Sequence, residues 1–410
     1  MTETLKPTTA AEVLEAVQWA VGTETSLQVV GQGSKRAFGR AAPAGRDLDL
    51  AGLAGIGRYE PSELFMTAGA ATPIAEIEAA LRQNNQQMAF EPADLGALLG
   101  GDEDRGTIGG AIACNLAGPR RIMVGAARDH FLGFHAVSGR GEVFKSGGTV
   151  VKNVTGFDLS KLLAGSFGTL AVMTDVTFKV LPAPEKTRTV LVLGLDEAAA
   201  GRVLAKALGS AHEVSAAAHL PAAAAGRSGV PYVAAAGRAV TALRVEGPGP
   251  SVEHRCKALS VMLRDKGEVE ELHSENSGKF WREMRDVTLL GAGGADDAKQ
   301  VWRISVPPAA GPGVARAVVD DLDGEAIYDW GGGLVWLAIA PRPDAGHAAV
   351  RAAVAGSGGH ATLVRAADDV RARVPVFQPQ PGPLAELTAR IKDAFDPKRI
   401  LNPGRMYEGV

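Results

Sequence analysis

The chain has 410 residues, which is long enough for two or three domains because single cores stop growing near about 250–300 residues. Its 43 basic and 46 acidic side chains leave a net charge of −3, too small to attract nucleic acid or anionic lipid strongly. The two cysteines, Cys114 and Cys256, exclude a disulfide framework and a zinc or iron–sulfur site built from cysteines of this chain alone.

The compartment is indicated by what the sequence lacks. A secretory signal has a basic flank followed by an apolar run, and the first residues do not show this pattern. Alanine-rich stretches such as 222–225 are soon broken by Gly226 and Pro231, well short of the ~20 apolar residues of a membrane-spanning helix. We therefore expect a cytoplasmic protein, with any membrane association peripheral on the inner face.

Strands and helices alternate in the first part of the chain. Thr9 precedes apolar residues at helical spacing, which predicts an amphipathic helix over 10–21. Short apolar runs predict strands at 26–30 and 64–68, and the second is followed by a predicted helix over 72–81.

The pattern then changes to sheet and turn signals. Apolar runs at 131–137 and 142–144 flank a glycine-containing turn and predict a hairpin. A run rich in Val, Thr and Phe over 170–181 stops at Pro182, where the missing amide donor ends a sheet. We therefore place a first domain at 1–181.

The rest of the chain predicts a second α+β unit and a tail. Mixed strand and helix signals extend over 187–375, and a proline-rich connector leads into the C-terminal segment 376–410. We expect this last segment to return to the first domain.

Three glycine clusters are the candidate ligand loops. Glycine lets backbone amides approach a phosphate where a Cβ would collide. The clusters are at 31–35, directly after a strand, at 106–119, and at 165–170. Each alone could be a tight turn or a helix packed closely on a sheet. Together they favour a long, bent ligand such as a dinucleotide.

Two familiar nucleotide folds are excluded. Arg36 stands where the dinucleotide fingerprint of a Rossmann fold requires its third glycine, and the residues after it do not predict a helix. A Gly-x4-Gly-Lys-Ser/Thr phosphate loop does not occur anywhere in the sequence.

The three clusters resemble the flavin-binding domain of the vanillyl-alcohol-oxidase (PCMH-type) flavoproteins in their order and spacing. More narrowly, 118–121, 152–162, Trp302-Arg303 and the terminal Leu-Asn-Pro-Gly-Arg at 401–405 are similar to the FAD-binding E subunits of bacterial glycolate oxidases. The resemblance implies an α+β fold: a PCMH-type FAD-binding domain of two α+β subdomains, plus a second, cap-like α+β domain for substrate or interface.

The resemblance also implies which residues contact FAD. They fall in the first loop, in the second cluster, in and just before the predicted strand at 170–181, and in the C-terminal tail: Gly31, Gln32, Gly33, Ser34, Lys35, Thr107, Ile108, Gly109, Gly110, Asn115, Gly168, Val172 and Asn402. Some family members tether FAD through a histidine in the first loop. This chain has no histidine before His130, so we expect non-covalent FAD.

The catalytic residues stay unassigned. Related catalytic subunits carry a His-x6-His pair together with a Gly-Glu-His-Gly segment, and that segment does not occur here. The eight histidines are scattered along the chain, and we expect no metal site. Arg282, Arg285 and Arg303 could bind a substrate carboxylate, although the first two also fit the wet face of an ordinary helix. Lys152 and Asp158 fit a functional role and a loop-anchoring role equally.

Three functions remain compatible with these patterns. The first is a FAD-dependent subunit that oxidises glycolate or another D-2-hydroxy acid and passes electrons to a partner. The second is a non-catalytic FAD subunit that relays electrons or acts as a scaffold, which the absence of the Gly-Glu-His-Gly segment favours. The third, a stand-alone flavin reductase, is disfavoured by the terminal Leu-Asn-Pro-Gly segment. The resemblance implies a catalytic flavoprotein subunit and an iron–sulfur subunit as partners.

Overall fold

The computed structural model describes residues 4–149, 156–290 and 298–410. The chain is an α+β protein that divides into two compact units. The first contains residues 1–117, 125–183 and 371–410, and the second contains 118–124 and 184–370. Within the described ranges, no helix is long and apolar enough to cross a bilayer.

The strands are distributed over both units. In chain order they are β1 (Thr4–Leu5), β2 (Leu27–Val30), β3 (Arg46–Asp49), β4 (Ile56–Glu60), β5 (Phe65–Gly69), β6 (Gln86–Gln87), β7 (Phe131–Ser138), β8 (Val143–Gly147), β9 (Ala171–Lys179), β10 (Leu181–Pro182), β11 (Lys186–Leu193), β12 (Ala216–Leu220), β13 (Val240–Gly247), β14 (Glu268–Leu272), β15 (Gln300–Ser305), β16 (Gly324–Asp329), β17 (Leu334–Ile339) and β18 (His360–Arg365).

The α-helices are mostly short. They are α1 (Ala10–Thr23), α2 (Ile74–Arg82), α3 (Ile108–Ala113), α4 (Arg121–Val124), α5 (Ala127–His130), α6 (Leu159–Leu163), α7 (Glu197–Leu208), α8 (Ala222–Ala225), α9 (Pro231–Ala234), α10 (Gly249–Leu263), α11 (Ser274–Asp286), α12 (Gly311–Leu322), α13 (His347–Ala355), α14 (Asp368–Arg373) and α15 (Gly382–Phe395).

The first unit contains two sheets of different construction. A parallel sheet has the order β1-β3-β2, and an antiparallel sheet has the order β4-β5-β9-β7-β8. Strand β2 also makes a parallel bridge from Leu27 to Leu401 of the C-terminal tail. Apolar residues of α1 pack against the parallel sheet, and those of α2 and α3 pack against the antiparallel one.

Local sequence signals account for several of these elements. The Thr9 side chain accepts a hydrogen bond from the Glu12 amide and begins α1, as expected of a capping hydroxyl. The predicted hairpin is confirmed, because β7 and β8 pair antiparallel across the turn at 139–142. The Val-, Thr- and Phe-rich run forms β9, which lies in the centre of its sheet between β5 and β7.

The second unit is built on one eight-stranded antiparallel sheet with the order β14-β11-β13-β12-β16-β17-β15-β18. Alternate residues of β11 face opposite sides, as strand geometry requires. Val190 and Val192 pack with α7 and α10, whereas the Thr189 hydroxyl accepts a hydrogen bond from the indole of Trp281 in α11. Helices therefore cover both faces at this end of the sheet.

Candidate functional site

A cleft in the first unit brings the three glycine clusters and the C-terminal tail together. We call it the glycine cleft. Its lining combines backbone from the loop after β2, from the start of α3, from the turn before β9 and from the tail. The residues that line it include Gly31, Gln32, Gly33, Ser34, Lys35, Thr107, Gly109, Gly110, Ala113, Cys114, Gly168, Ala171, Met173, Asn402 and Arg405.

The loop after β2 favours glycine at two positions, for different reasons. An ideal Cβ on Gly31 would lie 2.9 Å from Thr107 Oγ1, closer than real contacts allow. Gly33 has φ +80°, a left-handed conformation that favours glycine. The Arg36 amide donates to the Gly33 carbonyl at 3.1 Å and closes the turn. The loop therefore exposes main-chain atoms to the cleft at the positions where the sequence predicted a phosphate loop.

The second cluster is held against the loop by Thr107. Its hydroxyl accepts a hydrogen bond from the Gly110 amide at 3.2 Å and caps α3. The Gly109 amide donates to the Ala70 carbonyl at 2.8 Å, and a Cβ on Gly109 would lie only 2.6 Å from that oxygen. Close backbone packing fixes this wall of the cleft.

The tail completes the cleft through Asn402, which has φ 43°. Its Oδ1 accepts from the Val29 amide at 2.8 Å, and its Nδ2 donates to the Phe167 carbonyl at 2.8 Å. A Cβ on Gly168, at φ +70°, would lie 2.7 Å from Asn402 Nδ2. One side chain thus ties β2, the turn before β9 and the tail together.

A buried ion pair anchors the tail behind Asn402. Lys392 and Asp396 are both fully buried and lie 2.8 Å apart. Lys392 Nζ also donates to the carbonyls of Thr169 and Leu401, while Asp396 accepts from the amides of Ile400 and Leu401. Each charge is therefore satisfied by several hydrogen bonds, as a buried pair requires.

Lys35 contributes positive charge to the cleft. Its Nζ donates to Ser34 Oγ at 3.2 Å, and no carboxylate in the described chain forms an ion pair with it. Burial lowers the pKa of Lys35, although the nearby Cys114 and Asp94 act in the opposite direction. Burial likewise raises the pKa of the Cys114 thiol. An anion bound in the cleft would stabilise the charged form of this desolvated ammonium.

Three predicted positions do not turn their side chains into the cleft. Ile108 packs into the core next to α2. Consecutive residues of a helix point in different directions, so Gly109 faces the cleft and Ile108 does not. Val172 is buried with α1, because alternate residues of a strand face opposite sides, and Ala171 and Met173 line the cleft instead. Asn115 accepts a hydrogen bond from the Arg128 amide at 3.0 Å.

Sequence reasoning missed several polar residues of the cleft, among them Arg405 and Cys114. Arg405 Nη2 donates to the Lys35 carbonyl at 2.7 Å and supports the loop after β2. Cys114 lines the cleft at the end of α3. Both lie inside segments that carried the resemblance, but their side-chain roles depend on the approach of the tail and α3 to the loop.

The remaining candidate residues are placed as follows. Arg285 forms an ion pair with its neighbour Asp286 at 2.8 Å, and Arg282 is exposed on α11. Asp158 is exposed at the start of α6, and Lys152 lies outside the described residues. Over residues 4–149, 156–290 and 298–410, no three His, Cys, Asp or Glu side chains are grouped to hold a metal ion.

Sequence comparisons identify similar proteins. Residues 3–147 match the family described as FAD binding domain. The glycolate oxidase subunit GlcE of Escherichia coli (strain K12) is 34% identical over 402 residues, which cover 96% of this chain and 96% of that protein. The glycolate oxidase subunit GlcD of Bacillus subtilis (strain 168) is 40% identical over 87 residues, which cover 21% of this chain and 18% of that protein.

Solved structures show the same fold. A substrate-bound p-cresol methylhydroxylase superposes with a TM-score of 0.72 and 16% identity, covering 98% of this chain and 88% of that one. The 4-ethylphenol oxidase of Gulosibacter chungangensis gives a TM-score of 0.67 and 14% identity, with coverages of 99% and 89%. At these identities the likeness concerns the fold alone, and it agrees with the PCMH-type α+β architecture expected from the sequence.

Proposed function

The chain belongs to the family of the glycolate oxidase subunit GlcE, and from this premise we propose that it is the FAD-binding subunit of a complex that oxidises glycolate or another D-2-hydroxy acid. The observation that carries the proposal is the glycine cleft, in which three glycine segments and Asn402 surround one space. The flavin, when bound, accepts the two electrons of the oxidation and passes them to a partner.

The residues of the cleft fit FAD. The loop from Gly31 to Lys35 offers main-chain atoms without Cβ groups and an ammonium, which suits a pyrophosphate. Gly109 and Gly110 offer a flat wall on the other side. No histidine lines the cleft within the part of the chain that the structure describes, and the raised pKa of Cys114 keeps its thiol protonated, so we propose non-covalent binding.

A second candidate function is electron relay or scaffolding without substrate oxidation by this chain. It is supported by the composition of the glycine cleft: among the described residues, no histidine, aspartate or glutamate that could take a proton from a hydroxy acid lines it. On this alternative, a catalytic flavoprotein subunit performs the oxidation. An iron–sulfur subunit receives the electrons in either case, and the complex works in the cytoplasm or at the inner face of the membrane.

The absorbance spectrum of the purified chain, before and after acid precipitation, tests the proposal. We expect a flavin that the acid releases. Anaerobic addition of glycolate or D-lactate then separates the two functions, because bleaching of the isolated subunit requires its own catalysis. A flavin that stays oxidised supports the relay function, and a chain that takes up no flavin after reconstitution with FAD contradicts both.

Lys35 gives a pH dependence to flavin binding. Because burial lowers its pKa, the ammonium loses its proton at a lower pH than an ordinary lysine would. The charged form attracts the pyrophosphate, so FAD affinity should fall as pH rises through this lowered pKa. Lys35→Arg should remove the decline because arginine stays protonated, and Lys35→Met should weaken binding about tenfold at neutral pH. Fluorescence titration with FAD from pH 6 to 10 measures both, and parallel curves for all three proteins would contradict this role.

A further inference from the structure

The second unit contains two guanidinium groups that form no ion pair within the described residues. Neither Arg121 nor Arg303 has a side-chain hydrogen bond or an ion pair with any residue in the part of the chain described. Other arginines of this unit are paired: Arg120 lies 2.5 Å from Glu246, and Arg244 lies 3.5 Å from the same carboxylate. The guanidinium N–H groups of Arg121 and Arg303 are therefore not engaged by other described side chains and can donate hydrogen bonds to an anion.

Both unpaired groups lie over one indole ring. The guanidinium carbon of Arg121 is 4.3 Å from the centroid of Trp330, and that of Arg303 is 5.0 Å from it. A guanidinium over an aromatic ring is stabilised by the ring electrons while its N–H groups stay available at the edge. The ring thus holds two like charges near each other without neutralising either.

The indole itself is rigidly placed. Trp330 is 4% exposed, and its Nε1 donates to the Gly118 carbonyl at 3.0 Å. Its φ is 52°, and the two following glycines also have positive φ values. A left-handed conformation is rare for so large a side chain and is maintained only where the surroundings enforce it, often at a binding site.

Arg303 lies on the face of β15 opposite to the packed side. Its neighbour Trp302 is fully buried and donates to the Ala345 carbonyl at 2.9 Å, with Arg351 of α13 over its ring. Strand alternation turns Arg303 the other way, next to Trp336 of β17 and Thr362 of β18, its partners in register. The guanidinium therefore lies on the sheet face opposite the core beneath α13, where it is partly buried.

The local potential is positive. Burial, followed by the charge of Arg121, lowers the pKa of Arg303 to about 10, so it stays protonated at neutral pH. Burial and the charges of Arg303 and Arg121 also lower the pKa of His360. Asp329 is the nearby opposing charge, but its carboxylate is 2% exposed and accepts the Trp330 amide at 2.7 Å.

We propose that Arg121 and Arg303, placed together by the Trp330 ring, form a binding site for a small carboxylate anion. The planar N–H fork of a guanidinium matches the two oxygens of a carboxylate, which gives a carboxylate an advantage over a spherical anion. The identification of this anion as the 2-hydroxy acid rests on the proposed function, whereas the site itself rests only on residues of the second unit.

The test is calorimetric titration of the FAD-saturated, full-length chain with glycolate, and with inorganic phosphate and chloride as competitors. Arg303→Met and Arg121→Met should each weaken glycolate binding about tenfold or more, the usual loss for a charged hydrogen bond. Arg303→Lys keeps the positive charge but lacks the planar N–H fork of a guanidinium. Its affinity for glycolate should therefore lie between those of Arg303→Met and the unaltered chain. Arg202→Met is the matched control, since it removes an exposed arginine of α7 in the same unit, and it should bind as the unaltered chain does.

The flavin content of each sample, measured by absorbance, separates this proposal from the proposed function. Intact flavin with no glycolate binding, or with equal binding by all the variants, overturns the carboxylate site and leaves the flavin assignment standing. Phosphate or chloride binding as tight as glycolate also overturns it, because the fork would then give no selectivity. Glycolate binding that depends on both arginines in a chain that cannot hold flavin would support the site while contradicting the proposed function.

Discussion

Replacement of Lys392 by methionine is expected to lower the free energy of unfolding by about 3–5 kcal/mol, the cost of leaving one member of a buried ion pair without its partner. Both side chains of the Lys392–Asp396 pair are fully buried, and the lysine also satisfies two main-chain carbonyls. Methionine has a similar length but offers no donor, so the Asp396 carboxylate would keep only its hydrogen bonds from main-chain amides. The midpoint of urea denaturation measures the loss.

Two further variants make this prediction specific. Arg390→Met removes an exposed charge from the same helix, α15, and should change the unfolding free energy by less than about 0.5 kcal/mol. Lys392→Met combined with Asp396→Leu removes both charges and should be less destabilising than the single lysine change. A double variant as unstable as the sum of its single changes would show that the pair is not energetically coupled.

Replacement of Gly31 by valine is expected to weaken FAD binding about 100-fold, equivalent to about 3 kcal/mol, and so to yield protein purified without flavin. The first added carbon would meet the Thr107 hydroxyl, and the remaining methyl groups would fill space between the loop after β2 and the start of α3. The ratio of flavin absorbance to protein absorbance measures retention, and fluorescence titration of the apoprotein measures affinity.

Gly22→Ala is the matched control for this substitution. Gly22 lies in α1 with no atom within 4 Å of its ideal Cβ, so alanine should be tolerated and flavin retained. The denaturation midpoint of Gly31→Val apoprotein should stay close to that of unaltered apoprotein. Full flavin occupancy in Gly31→Val would contradict the assignment of the loop after β2 to the cofactor.

Local patterns in the sequence predicted the elements that depend on neighbouring residues. Helix α1 follows from a capping threonine and apolar spacing, and the β7–β8 hairpin follows from a turn between two apolar runs. The resemblance added what local rules do not contain, including an Asn402 that returns to the cofactor site, and the structure ties this residue to β2. Its Oδ1 accepts from an amide 373 positions away, a distance over which residue spacing carries no information.

The sequence did not indicate features that depend on direction or on three-dimensional neighbours. Ala171 and Met173 line the cleft and Val172 does not, because strand phase decides the direction of each side chain. Residues 118–124 group with the second unit although the chain on both sides belongs to the first. The role of Arg121 beside Trp330 follows only from that excursion, since more than 200 residues separate the two in sequence.

The bridge from Leu27 to Leu401 also has a consequence for biosynthesis. A ribosome releases β2 early, yet the strand lacks its neighbour in the tail until the chain has been made as far as Leu401. The second unit is nearly continuous in sequence and can pack earlier, apart from its short excursion at 118–124. Contacts of such long separation form slowly, and the glycine cleft closes only when residues 371–410 arrive. Cofactor capture is thereby reserved for chains whose translation has passed Asn402, and prematurely terminated products would be left without it.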